Sequence, residues 1–147
     1  MDLFRQAAIN SRRPGRYGRP FTFVTSLLDA GSRLPVLMQS QRSDCGLVCL
    51  AMVAGFHGRH IDEDWIRTRQ LYSERGVTVS GLMAAAEGLK LQARGVRLEP
   101  EELKQLNVPA ILHWDMDHFV VLKCCRRKDV VVHDPAVGKR SYSFSEL

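Results

Sequence analysis

The nine residues Asp44-Cys45-Gly46-Leu47-Val48-Cys49-Leu50-Ala51-Met52 open the longest nearly apolar run of this 147-residue chain. Asp44 is a good helix N-cap, and the residues from Cys45 to about Phe56 are apolar on nearly every side of a helix. The apolar run from Gly46 to Phe56 holds only eleven residues, whereas a membrane-spanning helix needs roughly 17 or more. The stretch therefore predicts a buried helix at the centre of a domain.

Helical patterns follow this stretch, and strand patterns come after them. Further helices are expected from Asp62 through Trp65 and Leu71, over Leu82 to Leu89 with Ser80 as the cap, and from Pro100. Four later segments are rich in apolar and β-branched residues: Ala110 to Trp114, His118 to Cys125, Val130 to His133 and Ser141 to Phe144. Helices first and strands afterwards predict an α+β fold, with an N-terminal helical part packed on a C-terminal antiparallel sheet.

The positive charge of the chain is concentrated at its N-terminus. Residues 1–33 carry six Arg and two Asp, whereas the rest of the chain is almost neutral within its net charge of +5. Because residues 1–33 also lack apolar periodicity, they are expected to form a flexible basic arm, followed by one domain over residues 34–147. Such an arm fits an acidic membrane surface at least as well as a nucleic acid, and we do not expect a nucleic-acid partner.

Neither the cysteines nor the glycines predict a metal or a nucleotide site. The first thirty residues lack a secretory signal, so a reducing compartment with free thiols is expected. Cys45, Cys49, His57 and His60 match no common zinc spacing, so no metal and no cofactor are expected. There is no glycine-rich nucleotide-triphosphate loop, and this chain alone is not expected to hydrolyse a nucleoside triphosphate.

Cys45 is a candidate nucleophile because it opens the buried helix. The positive end of a helix dipole favours a thiolate, which is the nucleophilic form of cysteine. The alternative is that Cys45 is one more buried helix residue, which suits most helical cysteines. Cys49 fits that alternative, since it lies one turn deeper among apolar neighbours.

A nucleophilic cysteine needs a base, and the base needs an orienting partner. If the strands flanking Arg126-Arg127-Lys128 form a hairpin whose turn centres near Arg126, His118 stands directly opposite Asp134 and on the same face. His133 would then point to the other face, because strand side chains alternate. His118 and Asp134 could also be ordinary turn residues, and a slip of one residue would break the pair.

Gln39 lies six residues before Cys45 and could donate a hydrogen bond to an oxyanion beside the backbone N–H of the nucleophile. Gln41 is an equal candidate on chemistry alone, so these residues leave the choice open.

Three ordered segments resemble a known enzyme family. They are Gln39 with Asp44 to Met52, Leu112-His113-Trp114-Asp115-Met116-Asp117-His118-Phe119-Val120-Val121-Leu122, and His133-Asp134-Pro135-Ala136 with Gly138. The sequence from about Leu34 onwards is similar to the bacteriocin-processing, double-glycine-leader cysteine peptidases, and looks closest to the colicin V type of exporter. These are papain-like domains at the cytoplasmic N-terminus of peptidase-containing ABC transporters.

The resemblance implies Cys45 as nucleophile, His118 as base, Asp134 as orienting acid and Gln39, rather than Gln41, as oxyanion donor. It implies cleavage after a Gly-Gly type site in a precursor peptide with a helical leader. The implied partners are the membrane and nucleotide-binding domains of an ABC transporter, and the implied location is the inner face of the cell membrane. Domains of this family usually continue into one further strand, whereas this sequence stops at Leu147. We therefore expect a fragment that lacks this last strand. The alternative function is a non-catalytic domain that only docks the leader.

Overall fold

The helix predicted from the apolar stretch is α1 (Cys45–Phe56), and ten of its twelve residues are buried. The structure is a computed structural model that describes residues 6–10, 33–62, 64–65, 76–114 and 117–147. A 3-10 turn over Arg42–Asp44 leads directly into α1. Asp44 does not cap α1 as predicted, because its Oδ2 accepts the backbone N–H of Gln41 at 3.0 Å and closes this preceding turn instead.

The helix α2 (Val79–Gly88) begins one residue before Ser80, its predicted cap. Thr78, which has the extended backbone of an N-cap, accepts the N–H of Gly81 on its side-chain oxygen at 3.1 Å. Ser80, the predicted cap, lies inside the helix. The short helix predicted from Pro100 is a 3-10 helix over Pro100–Gln105.

The helix predicted from Asp62 is described only at its start. Asp64 and Trp65 are helical, and Asp62 Oδ1 accepts the N–H of Trp65 at 2.7 Å, as an N-cap does. The predicted remainder, through Leu71, falls on residues 66–75, which lie outside the described residues.

In the described ranges of the chain, six antiparallel strands form one sheet in the order β2-β1-β3-β4-β5-β6. The strands are β1 (Gln6–Asn10), β2 (Arg97–Leu98), β3 (Ala110–Trp114), β4 (His118–Cys125), β5 (Asp129–Asp134) and β6 (Gly138–Ser143). The four C-terminal strands confirm the prediction of an antiparallel sheet, and β3 and β4 have the predicted bounds. The extra strand expected after Leu147 stays a prediction.

The strand β1 lies inside the segment predicted to be an arm. Ala8, Ile9 and Asn10 pair with β3, and Gln6 and Ala7 pair with β2. Residues 6–10 therefore form a strand, although the sequence predicts irregular structure throughout the first 33 residues. The pairing partner is about a hundred residues away, so local periodicity did not reveal it.

The sheet separates two apolar clusters. One cluster joins α1 and α2 to one face of the sheet, where Ile111, Phe119 and Val121 contribute. The other cluster lies on the opposite face around Leu112, Val120 and Leu122. Since strand side chains alternate, neighbouring residues of β4 serve different clusters. None of the helices in the described parts of the chain has both the length and the apolar character needed to span a bilayer.

Gly46 permits the close approach of α1 to the rest of the protein. A Cβ atom at this position would collide with Val77 Cγ1 and would lie 3.1 Å from Phe119 Cδ2. The residue directly after Cys45 therefore has to be small for the start of α1 to reach β4.

The register of β4 against β5 differs from the predicted one. Val121 pairs with His133 and Leu122 with Val132, followed by an irregularity between Leu122 and Cys124. Continued by one residue, this register sets Asp134 opposite Val120 rather than opposite His118. The prediction of direct opposition was wrong by two residues, which preserves the face that each side chain occupies.

Candidate active site

Cys45 is the first residue of α1 and is 5% exposed. It is a free thiol, like the three other cysteines of the chain. The N–H groups of the first turn of a helix have no partners within the helix and present partial positive charge. The sulfur is therefore held where a negative charge is favoured.

His118 opens β4 and lies next to both Asp134 and Cys45. Its Nε2 is 2.9 Å from Asp134 Oδ1, and Asp134 is 8% exposed. A hydrogen bond with the Cys45 side chain raises the pKa of His118 to about 9, aided by the hydrogen bond and charge of Asp134 and opposed by burial. The contacts with Cys45 and Asp134 thus favour the protonated form of the His118 imidazole.

Asp134 is itself fixed by the backbone that follows it. The N–H of Ala136 donates to Asp134 Oδ1 at 2.8 Å, which is the same oxygen that contacts His118. This hydrogen bond within the turn after β5 holds the carboxylate in one orientation. The imidazole is consequently held through Nε2, and its other nitrogen, Nδ1, is left for the sulfur.

Gln39 belongs to an extended segment that runs beside the end of β5. Its backbone N–H donates to the carbonyl of Pro135 at 2.9 Å, one residue beyond Asp134. Its side-chain Oε1 is buried and has no hydrogen-bond partner among the described residues. Gln41 is exposed, and its backbone is occupied in the 3-10 turn.

His133 points away from His118, as the alternation of strand residues predicts. It is 2% exposed, and its Nδ1 donates to the carbonyl of Pro35 at 2.9 Å. Burial is the main cause that lowers the pKa of His133, and its Nε2 has no partner in the described part of the chain. Sequence reasoning found the direction of this side chain but not its role, because Pro35 is 98 residues away.

The other candidate residues occupy structural positions. Burial raises the pKa of Cys49 well above the ordinary value, and the nearby Cys45 and Asp134 add to this effect, so Cys49 is a neutral thiol of the core as predicted. His113 stacks on the ring of Phe119 at 4.4 Å, and His57 contacts the ring of Phe56 edge-on. Within the described residues no three His, Cys, Asp or Glu side chains come together as a metal site.

Comparison with known proteins identifies relatives of this chain. Residues 33–147 match the peptidase C39 family. The chain is 43% identical over 131 residues to the colicin V secretion/processing ATP-binding protein CvaB of Escherichia coli, covering 88% of this chain and 19% of that protein. It is also 43% identical to the probable microcin-H47 secretion/processing ATP-binding protein MchF of Escherichia coli, covering 78% of this chain and 16% of that protein. The chain thus spans less than a fifth of the length of these relatives.

A solved structure shares the fold. It is a double glycine motif protease from an AMS/PCAT transporter in complex with the leader peptide, with a TM-score of 0.73 and 34% sequence identity. The match covers 80% of this chain and 85% of that one, which confirms the predicted papain-like α+β fold. From the extent of these matches, the chain belongs to the peptidase C39 family.

Proposed function

We propose that this chain is a cysteine endopeptidase that removes the leader of a secreted peptide precursor by cutting after a Gly-Gly type site. The observation that carries the proposal is the contact of His118 with both Cys45 and Asp134. The related proteins named for secretion and processing, and the related double glycine motif protease, support the substrate class.

In the proposed reaction, the thiolate of Cys45 attacks the carbonyl carbon of the second glycine. A C–S bond forms while the carbonyl electron pair moves to the oxygen. When this tetrahedral intermediate collapses, the C–N bond breaks and Nδ1 of His118 gives its proton to the leaving amine. Water then attacks the thioester, His118 takes a proton from it, and the C–S bond breaks to release the leader and restore the thiolate.

Gln39 is the proposed oxyanion donor, together with the backbone N–H of Cys45. A preplaced donor aimed at a developing oxyanion is worth about 2.7–4 kcal/mol of transition-state stabilisation. Support comes from the position of Gln39, whose backbone N–H is bonded to the carbonyl of Pro135 beside Asp134. Asp134 is proposed to orient His118 and to stabilise its charge.

The proposed partners are the precursor peptide and the membrane and nucleotide-binding domains of an ABC transporter. The relatives that are named for secretion and ATP binding are proteins about five times as long as this chain. The proposed location is therefore the cytoplasmic side of the cell membrane, in one chain with a transporter.

The test is mass spectrometry of a synthetic precursor, with a helical leader ending in Gly-Gly, after incubation with the 147-residue chain. We expect one cut after the second glycine, abolished in Cys45→Ala and retained in Cys124→Ser, which alters a half-buried cysteine of β4. Cleavage that survives Cys45→Ala would contradict the proposal. Leader binding without any cleavage by the unmodified chain would instead favour a docking domain.

A further inference from the structure

Exposed apolar side chains gather beside the candidate active site. Of the five large apolar side chains that are exposed in the described residues, four lie in two segments next to it: Val36, Leu37, Met38 and Val137. Their exposed fractions run from 39% to 55%. We call these four residues the 36–38/137 patch.

The two segments of the patch meet in space. A Cβ atom on Gly138 would lie 4.0 Å from Met38 Sδ, so Met38 reaches the residue next to Val137. Isolated exposed apolar residues are normal on a protein surface, whereas a contiguous group indicates a site of interaction. The fifth exposed residue, Val108, precedes β3 and lies outside both segments.

The patch is held in place at both ends of its longer segment. His133 donates to the carbonyl of Pro35 just before Val36, and the N–H of Gln39 just after Met38 donates to the carbonyl of Pro135. The segment is thus bound twice to the residues that flank Asp134. A surface fixed in this way costs little conformational entropy when it binds a ligand.

The chemistry of the site indicates which part of a substrate would meet the patch. His118 must protonate the amine that leaves, so the residues after the cut depart on the side of His118 and Asp134. The segment that carries the patch is hydrogen-bonded to the end of β5 at which Asp134 lies. The helices α1 and α2 lie elsewhere, on a face of the sheet. The patch therefore continues the site on its leaving-group side.

Resting on the proposed function, we propose that the 36–38/137 patch binds apolar side chains in the first residues after the cut, and so selects the mature peptide rather than its leader. The bound segment is an extended peptide, and its contacts are apolar. Lys139 and Arg140 are exposed on β6 directly after Gly138. Their charge disfavours Lys and Arg in the same part of the peptide.

The test compares two precursors with one leader and one Gly-Gly site, which continue with Val-Leu or with Ser-Ser. For the 147-residue chain, we expect kcat/KM to be about tenfold higher for the Val-Leu precursor, as is usual for an apolar subsite. The double variant Met38→Ser with Val137→Ser should lose this preference and cleave the two precursors with similar kcat/KM. Val108→Ser, the matched control, should keep the preference.

Equal kcat/KM of the unmodified chain for the two precursors would overturn the proposal. So would a double variant whose kcat/KM falls by the same factor for the Val-Leu and the Ser-Ser precursor. A double variant that elutes as a smaller species than the unmodified chain would assign the patch to self-association and overturn it as well. Circular dichroism of each variant confirms that the fold is retained.

Binding of product-side hexapeptides separates this proposal from the proposed function. Fluorescence anisotropy with labelled peptides that begin Val-Leu or Ser-Ser needs no cleavage. Tighter binding of the Val-Leu peptide, lost in the double variant, supports the patch even if neither precursor is cut. Equal binding of both peptides overturns the patch even if both precursors are cut.

Discussion

His118 and Asp134 are joined by a contact of 2.9 Å between Nε2 and Oδ1, although the ladder of β4 and β5 does not place them directly opposite each other. They are diagonal neighbours on one face, at a spacing that side chains of this length can bridge. The carboxylate both orients the ring and adds to the causes that raise the pKa of His118.

Asp134→Asn should separate these two effects. The amide oxygen can still accept from Ala136 and from His118, but the negative charge is lost, so the pKa of His118 should fall below about 9. We expect the alkaline limb of kcat/KM to move to lower pH. Asp134→Ala should lower kcat/KM further, by about 100-fold or more, because the ring loses its partner. An unchanged pH profile in the Asn variant would argue against the charge of Asp134 acting on His118.

The rate at which Cys45 is alkylated tests whether His118 acts on its thiol. Because the folded pKa of His118 is raised to about 9, the imidazole stays protonated through neutral pH and loses its proton as the pH rises through about 9. The stabilisation of the fold by protonated His118 is complete below the unfolded pKa of about 6.5, and it is lost as the pH rises through about 9. Cys45 should react with iodoacetamide near pH 7 faster than the other three thiols. In His118→Ala this advantage should vanish, and a rate unchanged by that substitution would contradict an activation of Cys45 by His118.

The position of Asp134 depends on a β-bulge that no sequence pattern indicates. Near the hairpin turn, Cys124 pairs with Val131, and this register alone would set Asp134 opposite Val121, on the wrong face for His118. The extra residue Lys123 shifts the pairing by one, so that His133 stands opposite Val121 instead. Local alternation predicted both strands and both faces, but an exposed lysine in a strand gives no sign of a bulge.

The residues of the candidate active site were easier to predict from sequence than the N-caps of the helices and the pairing of β1. The chemistry of Cys45 and the alternation of β4 and β5 are local properties, and the structure places Cys45, His118 and Asp134 together. Asp44 failed as a cap because a 3-10 turn precedes α1 and takes its carboxylate. The pairing of β1 and the contact of His133 with Pro35 join distant parts of the chain, which periodicity cannot reveal.

Replacing His133 should weaken the fold in a pH-dependent way. Burial lowers its folded pKa, so its contribution to stability is present above about pH 6.5 and is lost as the pH falls towards the folded value. His133→Ala should cost about 1–3 kcal/mol at pH 7.5, because the carbonyl of Pro35 loses its donor.

His133→Asn is the matched variant for this residue, since its amide can donate to Pro35 without titrating. Urea unfolding at pH 5 and pH 7.5 should show a smaller loss of stability at pH 5 for the Asn variant than for the unmodified chain. Identical losses in both proteins would show that His133 does not titrate in this range.

Gly46→Ala should lower the stability of the fold. The added methyl group collides with Val77 and presses on Phe119, and overpacking of this kind costs about 1–3 kcal/mol. Gly55→Ala, in the same helix, meets the ring of Pro35 alone, with its Cγ at 3.3 Å and its Cδ at 3.9 Å, and gains the same helix propensity of about 1 kcal/mol. We expect urea unfolding to show a loss for Gly46→Ala and almost none for Gly55→Ala. Equal stability of the two variants would contradict the close approach of α1 to β4.

Gln39→Leu should separate catalysis from stability more cleanly than any other substitution at the site. Oε1 is buried without a protein partner, and a polar atom in this state costs free energy in the folded protein. An apolar side chain of similar size should therefore leave the free energy of unfolding unchanged or raise it. If the amide serves the oxyanion, kcat should nevertheless fall by about 100- to 1000-fold with little change in KM. Gln41→Leu, at an exposed position two residues later, should change neither quantity, and a kcat for Gln39→Leu within a factor of about three of the unmodified chain would remove Gln39 from the reaction.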